Sequence, residues 1–411
     1  MFRQRLLAER LTDLIAASPV VVLTGARQTG KSTLLRHLFS PERIVDLDDL
    51  SVLRAFRDRP EVALEDVLAT LDPGPVVLDE TQRVPDLTIA VKRLVDRGGP
   101  FRFVLTGSAN LTLLRGISES LAGRAGLIEL APLAFAEWLG QEPSVLGRLL
   151  ERGERGLSGL RAPEPRRRAE LDRARRQMLA HGSMPALLER AQAEQRRLWL
   201  KGYHQTYLER DVRDVGIAVE PLMFARTTEA CAHRTGGILS WSDFGRDVGC
   251  SYHTAHRYVD VLRLGYQVWL LPAWSGSLAK RLVKSPKLYF CDVGVRNEVA
   301  GTVEPAGAVY ETWLVGEIRK LVLGMARPPR LSYFRSSAGL EVDLVLEDDR
   351  GIIAIEAKAR PRVQAIDASA LRRLREDLGS HFRVGLVVYP GYAVEKLAPG
   401  IYAVPDTLLL L

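Results

Sequence analysis

The chain has 411 residues, of which 46% are hydrophobic and 26% charged; this is typical of globular proteins and excludes disordered, collagen-like and disulfide-stapled chains. At roughly 150 residues per domain, this length predicts two to four domains. The net charge of +7 comes from residues 141–300, with 26 basic and 18 acidic side chains, because 1–140 (17 and 18) and 301–411 (14 and 14) are nearly neutral.

The cysteines and the apolar runs exclude two further classes of protein. Cys231, Cys250 and Cys291 lack metal-ligand spacing, so we expect reduced thiols and no zinc site. No apolar run reaches the ~18 residues needed to cross a bilayer. We therefore expect a cytoplasmic protein with no membrane partner.

Short apolar runs alternate with polar or helical stretches in the first 140 residues. These runs are 19–23, 75–78, 101–105 and 127–130. Apolar runs of this length between helices indicate buried parallel strands. The predicted fold class is therefore α/β, with a parallel sheet in the first domain.

The first of these runs leads into a phosphate-binding motif. Residues 25–32, GARQTGKS, fit the pattern G-x-x-x-x-G-K-[ST], and an amphipathic helix follows from Thr33. Backbone N–H groups of such a loop surround phosphate oxygens, while Lys31 reaches the terminal phosphates and Ser32 can ligate Mg²⁺. The predicted nucleotide-binding residues are Gly25, Ala26, Arg27, Gln28, Thr29, Gly30, Lys31, Ser32 and Thr33.

Two later strands end in polar residues that suit phosphoryl transfer. The run 76–80, VVLDE, ends in Asp79, a predicted Mg²⁺ ligand, and Glu80, which would polarise the attacking water. The run 101–105 is followed by TGSAN, where Ser108 or Asn110 could sense the γ-phosphate. Strand-end turns rich in Ser and Asn are also common without such a role.

These strings resemble a large prokaryotic family of AAA-type ATPases whose C-terminal half is a domain of unknown function. GARQTGKS, VVLDE, LTGSAN and SLAGRAGLIELAPLAFAEW match its N-terminal domain, and HGSMP, YLERDV and KLYFCDVG match its later segments. His181 stands where the family more often has Gly. The resemblance implies that residues 1–140 form a P-loop ATPase domain that binds and hydrolyses ATP with Mg²⁺.

The same resemblance makes Arg124, in LAGR, a candidate catalytic arginine finger or sensor. An arginine beside a Gly turn can equally be a surface salt-bridge partner. A finger acting in trans would require at least a homodimer.

The middle of the chain is basic and predicted to be helical. Residues 147–176 contain ten Arg and five acidic residues and form either a linker or a charged helical arm, so we assign 141–235 to an Arg-rich linker and helical lid. Residues 236–300 are predicted to be a winged helix: helices at 242–249 and 250–264 flank a Gly turn, and strands follow at 267–271 and 287–290.

This winged helix offers a set of exposed basic and aromatic side chains for DNA. The candidates are Tyr252, His253, His256, Arg257, Lys280, Arg281 and Lys284, with Lys287 as a third lysine of the wing. Winged helices also serve as protein–protein modules, so both partners stay open.

The C-terminal segment, 301–411, contains a predicted hairpin with an acidic face. If Asp343 pairs with Glu356, then 345 pairs with 354, and alternation puts Glu341, Asp343, Glu356 and Lys358 on one face. Two facing carboxylates are destabilising unless a positive charge lies between them, and a divalent cation would fit.

Asp343 followed by Glu356-Ala-Lys358 resembles the core of PD-(D/E)xK nucleases, whose fold is restriction-endonuclease-like α/β. The proline of that name is absent here. The resemblance implies Mg²⁺ on the acids, a water-activating Lys358, and a further acid from the preceding helix, either Glu311 or Glu317. The alternative is a surface hairpin in which Lys358 bridges Glu341 or Glu356.

Two function classes follow. The first is an ATP-driven enzyme that engages DNA through the winged helix and cuts or clamps it with the C-terminal core. The second is an ATP-switched regulatory or binding protein whose C-terminal fold recognises a partner without cleavage.

Overall fold

The computed structural model describes residues 2–107, 121–206, 220–275, 284–336 and 339–411. Two compact units are present: one comprises Met1–Pro132, Gln205–Glu220 and Asp260–Gln267, and the other comprises Leu133–His204, Pro221–Val259 and Val268–Leu411. Four predicted site residues, Ser108, Asn110, Lys280 and Arg281, lie outside the described residues.

The first unit is built on a five-stranded parallel sheet. Its strands are β1 (Val20–Thr24), β2 (Ile44–Asp46), β3 (Pro75–Asp79), β4 (Arg102–Thr106) and β5 (Ala125–Glu129), in the order β2-β3-β4-β1-β5. The helices are α1 (Leu7–Ala17), α2 (Lys31–Leu38), α3 (Leu50–Asp58), α4 (Pro60–Leu68) and α5 (Leu87–Asp96). The predicted parallel sheet is thus confirmed, and its four predicted strands are β1, β3, β4 and β5.

Both faces of this sheet are buried, which explains why its strands are apolar throughout. Val20 and Val22 belong to one core cluster, and Val21 and Leu23 belong to the cluster on the other face. A strand covered on both faces has no solvent side and therefore no polar alternation. The sequence did not predict β2, because its three residues are too few to form an apolar run.

Seven helices follow along the chain, most of whose residues belong to the second unit. They are α6 (Phe135–Leu139), α7 (Val145–Arg152), α8 (Pro165–His181), α9 (Ala193–Thr206), α10 (Pro221–His233), α11 (Trp241–Val248) and α12 (Tyr252–Leu264). Within the Arg-rich stretch 147–176, α8 is a packed helix, since it buries Leu171, Ala174, Arg175 and Met178.

Helices α11 and α12 form the predicted helix, Gly turn and helix. Gly249 ends α11 with φ +84°, a left-handed conformation that favours glycine, and the Ser251 hydroxyl caps α12 by accepting from Thr254 N at 3.1 Å. Antiparallel β6 (Val268–Leu271) and β7 (Lys287–Phe290) follow, close to their predicted positions. The two helices bury a shared apolar face, formed by Phe244, Val248, Ala255, Tyr258, Val259 and Leu262.

The C-terminal part is a six-stranded mixed sheet. After α13 (Val293–Ala300) and α14 (Ala306–Leu323) come β8 (Arg330–Arg335), β9 (Glu341–Asp348), β10 (Gly351–Ala357), α15 (Ser369–Leu378), β11 (Phe382–Tyr389), β12 (Glu395–Ala398), β13 (Ile401–Pro405) and α16 (Asp406–Leu409). The strand order is β12-β13-β11-β10-β9-β8. In the β9–β10 hairpin Val345 pairs with Ala354, which confirms the predicted register.

Among the residues that the structure describes, no helix combines the length and the apolar character needed to span a membrane.

Candidate functional site

The phosphate-binding loop lies between β1 and α2 and has the backbone that its glycines permit. Gly25 (φ +141°), Gln28 (+61°) and Gly30 (+96°) all have positive φ, and Gly30 is the residue before α2. A Cβ on Gly25 would lie 2.3 Å from the carbonyl oxygen of Leu130. The loop is therefore tightly curved and ends at the N-terminus of α2, where backbone N–H groups attract anions.

Lys31 lies inside this loop. Its side chain is buried, and Nζ donates to the carbonyl oxygens of Gly25 at 2.9 Å and Ala26 at 3.0 Å. Arg5, which lies just before α1, supports the loop by donating to Thr29 O at 2.7 Å and to Ala131 O at 2.6 Å. The motif alone does not predict this role of Arg5, because Arg5 lies outside the loop.

The acidic pair follows β3 at the edge of the sheet where the parallel strands end. Asp79 is 3% exposed, and Glu80 has a left-handed backbone (φ +58°), which is rare for a non-glycine residue. Because β1, β3 and β4 are parallel, their carboxyl ends lie at the same edge as the phosphate loop.

Two side chains that motif reasoning missed contact this acidic pair. The Thr106 hydroxyl donates to Asp79 Oδ1 and accepts from Glu80 N at 3.4 Å, and the Gln82 amide donates to Glu80 Oε2. The signal for Thr106 was strand register, since Leu78 pairs with Leu105 and the next residues are therefore neighbours.

Arg124 corrects one prediction. It precedes β5, and its carbonyl accepts from Val20 N at the start of β1, so it lies at the edge opposite the phosphate loop. Its Nε donates to Asp96 at 2.6 Å on the surface. Arg124 is therefore no sensor for the nucleotide of its own chain, and a finger in trans stays a prediction.

The residues present fit a nucleotide with Mg²⁺. The loop has a backbone that only glycine fits at position 25, because a Cβ there would collide with the Leu130 carbonyl. Lys31 supplies a compact positive charge, and the hydroxyl of Ser32 and the buried carboxylate of Asp79 are the hard oxygen ligands that Mg²⁺ prefers.

The helix α12 exposes a polar and aromatic face. Tyr252, His253 and Arg257 are exposed and His256 is half-buried. Trp241, which the sequence reasoning did not single out, stacks near this face with its ring centroid 4.5 Å from that of His256. Lys284 is exposed after β6, as predicted.

The C-terminal acids converge as the hairpin register predicted. Asp343 and Glu356 are each 9% exposed, and Asp343 Oδ2 accepts from Ala357 N at 2.9 Å. Lys358 donates to Glu356 Oε1 at 2.6 Å, and Glu356 Oε2 is buried without a hydrogen-bond partner. The Glu311 carboxylate of α14 lies in the same cluster, because one side chain donates hydrogen bonds to both Glu311 and Asp343.

That shared donor is Lys287, which corrects its predicted place in the DNA-binding wing. Its side chain is only 1% exposed, and Nζ lies 2.8 Å from Glu311 Oε1, 2.5 Å from Glu341 Oε1 and 3.1 Å from Asp343 Oδ1. The Tyr289 hydroxyl also donates to Glu311, at 2.6 Å. Lys287, which lies outside the hairpin, thus contacts Asp343, whereas Glu356 is paired with Lys358.

Burial and mutual repulsion shift the protonation of this cluster. Burial, and then the charge of Asp343, raise the pKa of Glu311 to about 7 and that of Glu356 to about 8. Burial alone would lower the pKa of Lys287, but Asp343 and Glu311 outweigh it and raise this pKa, so the ammonium stays charged.

Mg²⁺ does not fit the nuclease-like residues as they stand. Both oxygens of Asp343 have donors, Lys287 and the Ala357 amide, and within the described part of the chain no three His, Cys, Asp or Glu side chains are grouped to hold a metal ion. The alternative acid, Glu317, lies elsewhere: its oxygens accept from Lys320 at 2.6 Å and from Phe135 N at 2.6 Å.

A parallel sheet that carries this loop and acidic strand ends defines a P-loop ATPase-like domain. Comparison with known families agrees: residues 17–139 match the AAA domain. Residues 172–306 and 306–409 match two domains of unknown function, DUF8612 and DUF4143.

Two curated relatives align with the whole chain, and a third aligns with part of it. The uncharacterized proteins Mb2031c of Mycobacterium bovis and Rv2008c of Mycobacterium tuberculosis are each 30% identical to it, over 100% of this chain and 85% of their own. The uncharacterized protein MJ1544 of Methanocaldococcus jannaschii is 29% identical over 29% of this chain and 28% of its own. The chain therefore belongs to the family of the two mycobacterial proteins.

Among solved structures, the Walker-type ATPase PABY2304 of Pyrococcus abyssi is similar, with a TM-score of 0.48 and 16% identity over 73% of this chain and 96% of that chain.

Proposed function

We propose that the protein hydrolyses ATP at the loop Gly25–Ser32 and the acidic pair. The observation that carries this proposal is the hydrogen-bonded group of Asp79, Glu80 and Thr106 at the same sheet edge as the loop. Loop amides and Lys31 bind the phosphates, and Glu80 orients the attacking water and takes its proton. Mg²⁺, held by Ser32 and Asp79, would offset the phosphate charge.

Two variants test this proposal. Lys31→Ala removes a phosphate contact and should abolish both ATP binding and turnover. Glu80→Gln should bind a fluorescent ATP analogue as wild type does and yet lose turnover by about 10²-fold or more. Unchanged turnover in Glu80→Gln would refute the role of Glu80.

We also propose that the protein engages DNA through α12. The exposed Tyr252, His253 and Arg257 support this proposal, because they combine charge with stacking surfaces. In fluorescence anisotropy with duplex DNA, Arg257→Ala should weaken binding and flatten the salt dependence by about one unit of slope. Arg373→Ala, an exposed arginine of α15, is the matched control. Equal binding by all three proteins would favour a protein partner instead.

For the C-terminal core we propose the second function class, recognition of a partner without cleavage. The specific observation in its favour is the Lys287 ammonium among the carboxylates that the nuclease resemblance assigns to Mg²⁺. Wild type incubated with plasmid or branched DNA and Mg²⁺ or Mn²⁺ should leave it intact. Cleavage that is lost in Asp343→Ala would restore the nuclease hypothesis.

A further inference from the structure

The side chain of Lys287 is the most deeply buried charge of the C-terminal carboxylate cluster. Its 1% exposure and its three carboxylate neighbours at 2.5–3.1 Å make it the centre of that cluster. We infer that Lys287 is a resident cation that takes the place of a metal ion, so that this site binds no divalent cation unless Lys287 is removed. This inference concerns the C-terminal core alone and is independent of ATP hydrolysis.

The position of Lys287 in the sheet determines where its side chain begins. Lys287 begins β7, where it pairs with Leu271 of β6 on one side and forms a bridge with Ile238 on the other. The Tyr333 ring lies 5.8 Å from Nζ and covers the ammonium from β8. This pairing fixes the Cα and Cβ of Lys287 next to the acids, and the three carboxylate contacts then hold its ammonium.

The neighbouring carboxylates offset the free-energy cost of burying the charged side chain of Lys287. A buried ammonium costs several kcal/mol unless it is paired and hydrogen-bonded. Here Glu311, Glu341 and Asp343 each accept a short contact, which satisfies the three donors of a lysine. Removal of these acids or of Lys287 would leave the other partners buried without compensation.

The same geometry disfavours a metal ion beside the lysine. Each oxygen of Asp343 already accepts one hydrogen bond, from Lys287 and from the Ala357 amide, and Glu356 Oε1 accepts one from Lys358. A divalent cation at these acids would lie within a few ångströms of two ammonium groups, and the repulsion between unit charges at such distances is strong in a buried site.

Removal of the ammonium would leave a site of the right chemistry. The oxygens of Glu311, Glu341 and Asp343 lie 2.5–3.1 Å from Nζ, so they would have to close by a few tenths of an ångström around a large hard cation, whose ligand distances are about 2.3–2.6 Å. The orphan oxygen Glu356 Oε2, buried in the same cluster, is an acceptor without a donor. Ca²⁺ and its luminescent substitute Tb³⁺ therefore suit the vacated position better than Mg²⁺ does.

The experiment titrates Tb³⁺ into full-length protein and follows luminescence sensitised by nearby tyrosines such as Tyr289 and Tyr333. Wild type and the matched control Lys284→Met, an exposed lysine three positions away, should give the same background. Lys287→Met should gain one further bound Tb³⁺ that Ca²⁺ displaces, and Lys287→Met/Asp343→Asn should lose it.

A second measurement does not depend on how well the Lys287 variant folds. Wild type and Asp343→Asn are compared directly, and equal Tb³⁺ binding by the two supports the inference. A wild-type signal that Asp343→Asn abolishes would overturn it, because the metal would then bind beside Lys287. Failure of folded Lys287→Met to gain a site would overturn it as well. If that variant does not fold, the comparison of wild type with Asp343→Asn decides alone.

Discussion

Lys31 and Lys287 are both buried ammonium groups, yet their neighbours give them opposite roles. Lys31 donates to the neutral carbonyls of Gly25 and Ala26. A negatively charged phosphate is a stronger acceptor for its ammonium than these carbonyls are. Lys287 contacts three carboxylates, which hold it with full charge. At the residue scale, the chemistry of a lysine therefore depends on whether its acceptors are neutral or ionised.

The Thr106 hydroxyl is expected to hold Asp79 and Glu80 in position for catalysis. Thr106→Val removes its hydrogen bond to Asp79, and we expect kcat for ATP to fall about 10–100-fold with a nearly unchanged KM, as for other residues that orient metal ligands. Steady-state ATPase kinetics measure this, and Thr106→Ser should retain most of the activity. A kcat for Thr106→Val within about twofold of wild type would contradict the positioning role.

Glu356 should make the stability of the C-terminal core depend on pH. Its pKa rises from 4.5 to about 8 on folding, so between these values the folded state binds more protons than the unfolded state. The free energy of unfolding therefore falls as pH rises through this window. Asp343, Lys358 and Glu311 are the charged groups that act on it.

Thermal unfolding between pH 5 and pH 9 checks this expectation. Glu356→Gln keeps the size and an acceptor but cannot ionise, so its melting temperature should fall less over this range than that of wild type. The exposed Glu376→Gln serves as control and should follow wild type. Identical pH profiles for Glu356→Gln and wild type would show that Glu356 does not titrate in this window.

At the scale of elements, the strand-to-helix connection β1–α2 is determined by the space that one glycine leaves. Gly25→Ala would place a Cβ 2.3 Å from Leu130 O at a φ of +141°, so the loop must open. We expect a loss of about 1–3 kcal/mol in stability together with weaker nucleotide binding. Denaturant unfolding and titration of an ATP analogue measure the two effects.

Gly99→Ala is the matched control for this loop, because a Cβ there would have its nearest neighbour, Leu94 O, at 4.0 Å. That variant should stay within about 0.5 kcal/mol of wild type. Equal effects of the two substitutions would mean that the close approach at Gly25 is not what shapes the loop.

At the scale of the whole molecule, the second unit is tied together by a buried ion pair between distant parts of the chain. Arg175 of α8 donates to Asp406 of α16 at 2.9 Å, and the Tyr310 hydroxyl of α14 donates to the same carboxylate at 2.9 Å. Asp406 is 0% exposed. Three helices that are far apart in sequence therefore depend on one carboxylate.

Asp406→Ala should destabilise this unit by about 2–4 kcal/mol, because buried Arg175 keeps only its second partner, Asp172 at 2.7 Å, and the Tyr310 hydroxyl loses its acceptor. Denaturant unfolding of the full chain measures the change. Asp377→Ala, which removes an exposed partner of Arg373, should cost less than about 1 kcal/mol. Similar losses in the free energy of unfolding in both variants would contradict the larger contribution expected of the buried pair.

The sequence by itself determined the features that depend on neighbours along the chain. The loop at Gly25, the acidic end of β3, the helix pair around Gly249 and the register of Val345 with Ala354 all follow from local spacing, alternation and turn chemistry. These signals are short-range, because backbone geometry alone relates residues a few positions apart.

Only the tertiary structure decided which side chains meet across long separations. Lys287 reaches Asp343, 56 residues away, and Arg175 reaches Asp406, 231 residues away; no periodicity relates such positions. The hairpin alternation placed carboxylates on one face but could not specify which cation lies beside them. The β6–β7 pairing, outside the hairpin, places the buried ammonium of Lys287 3.1 Å from Asp343.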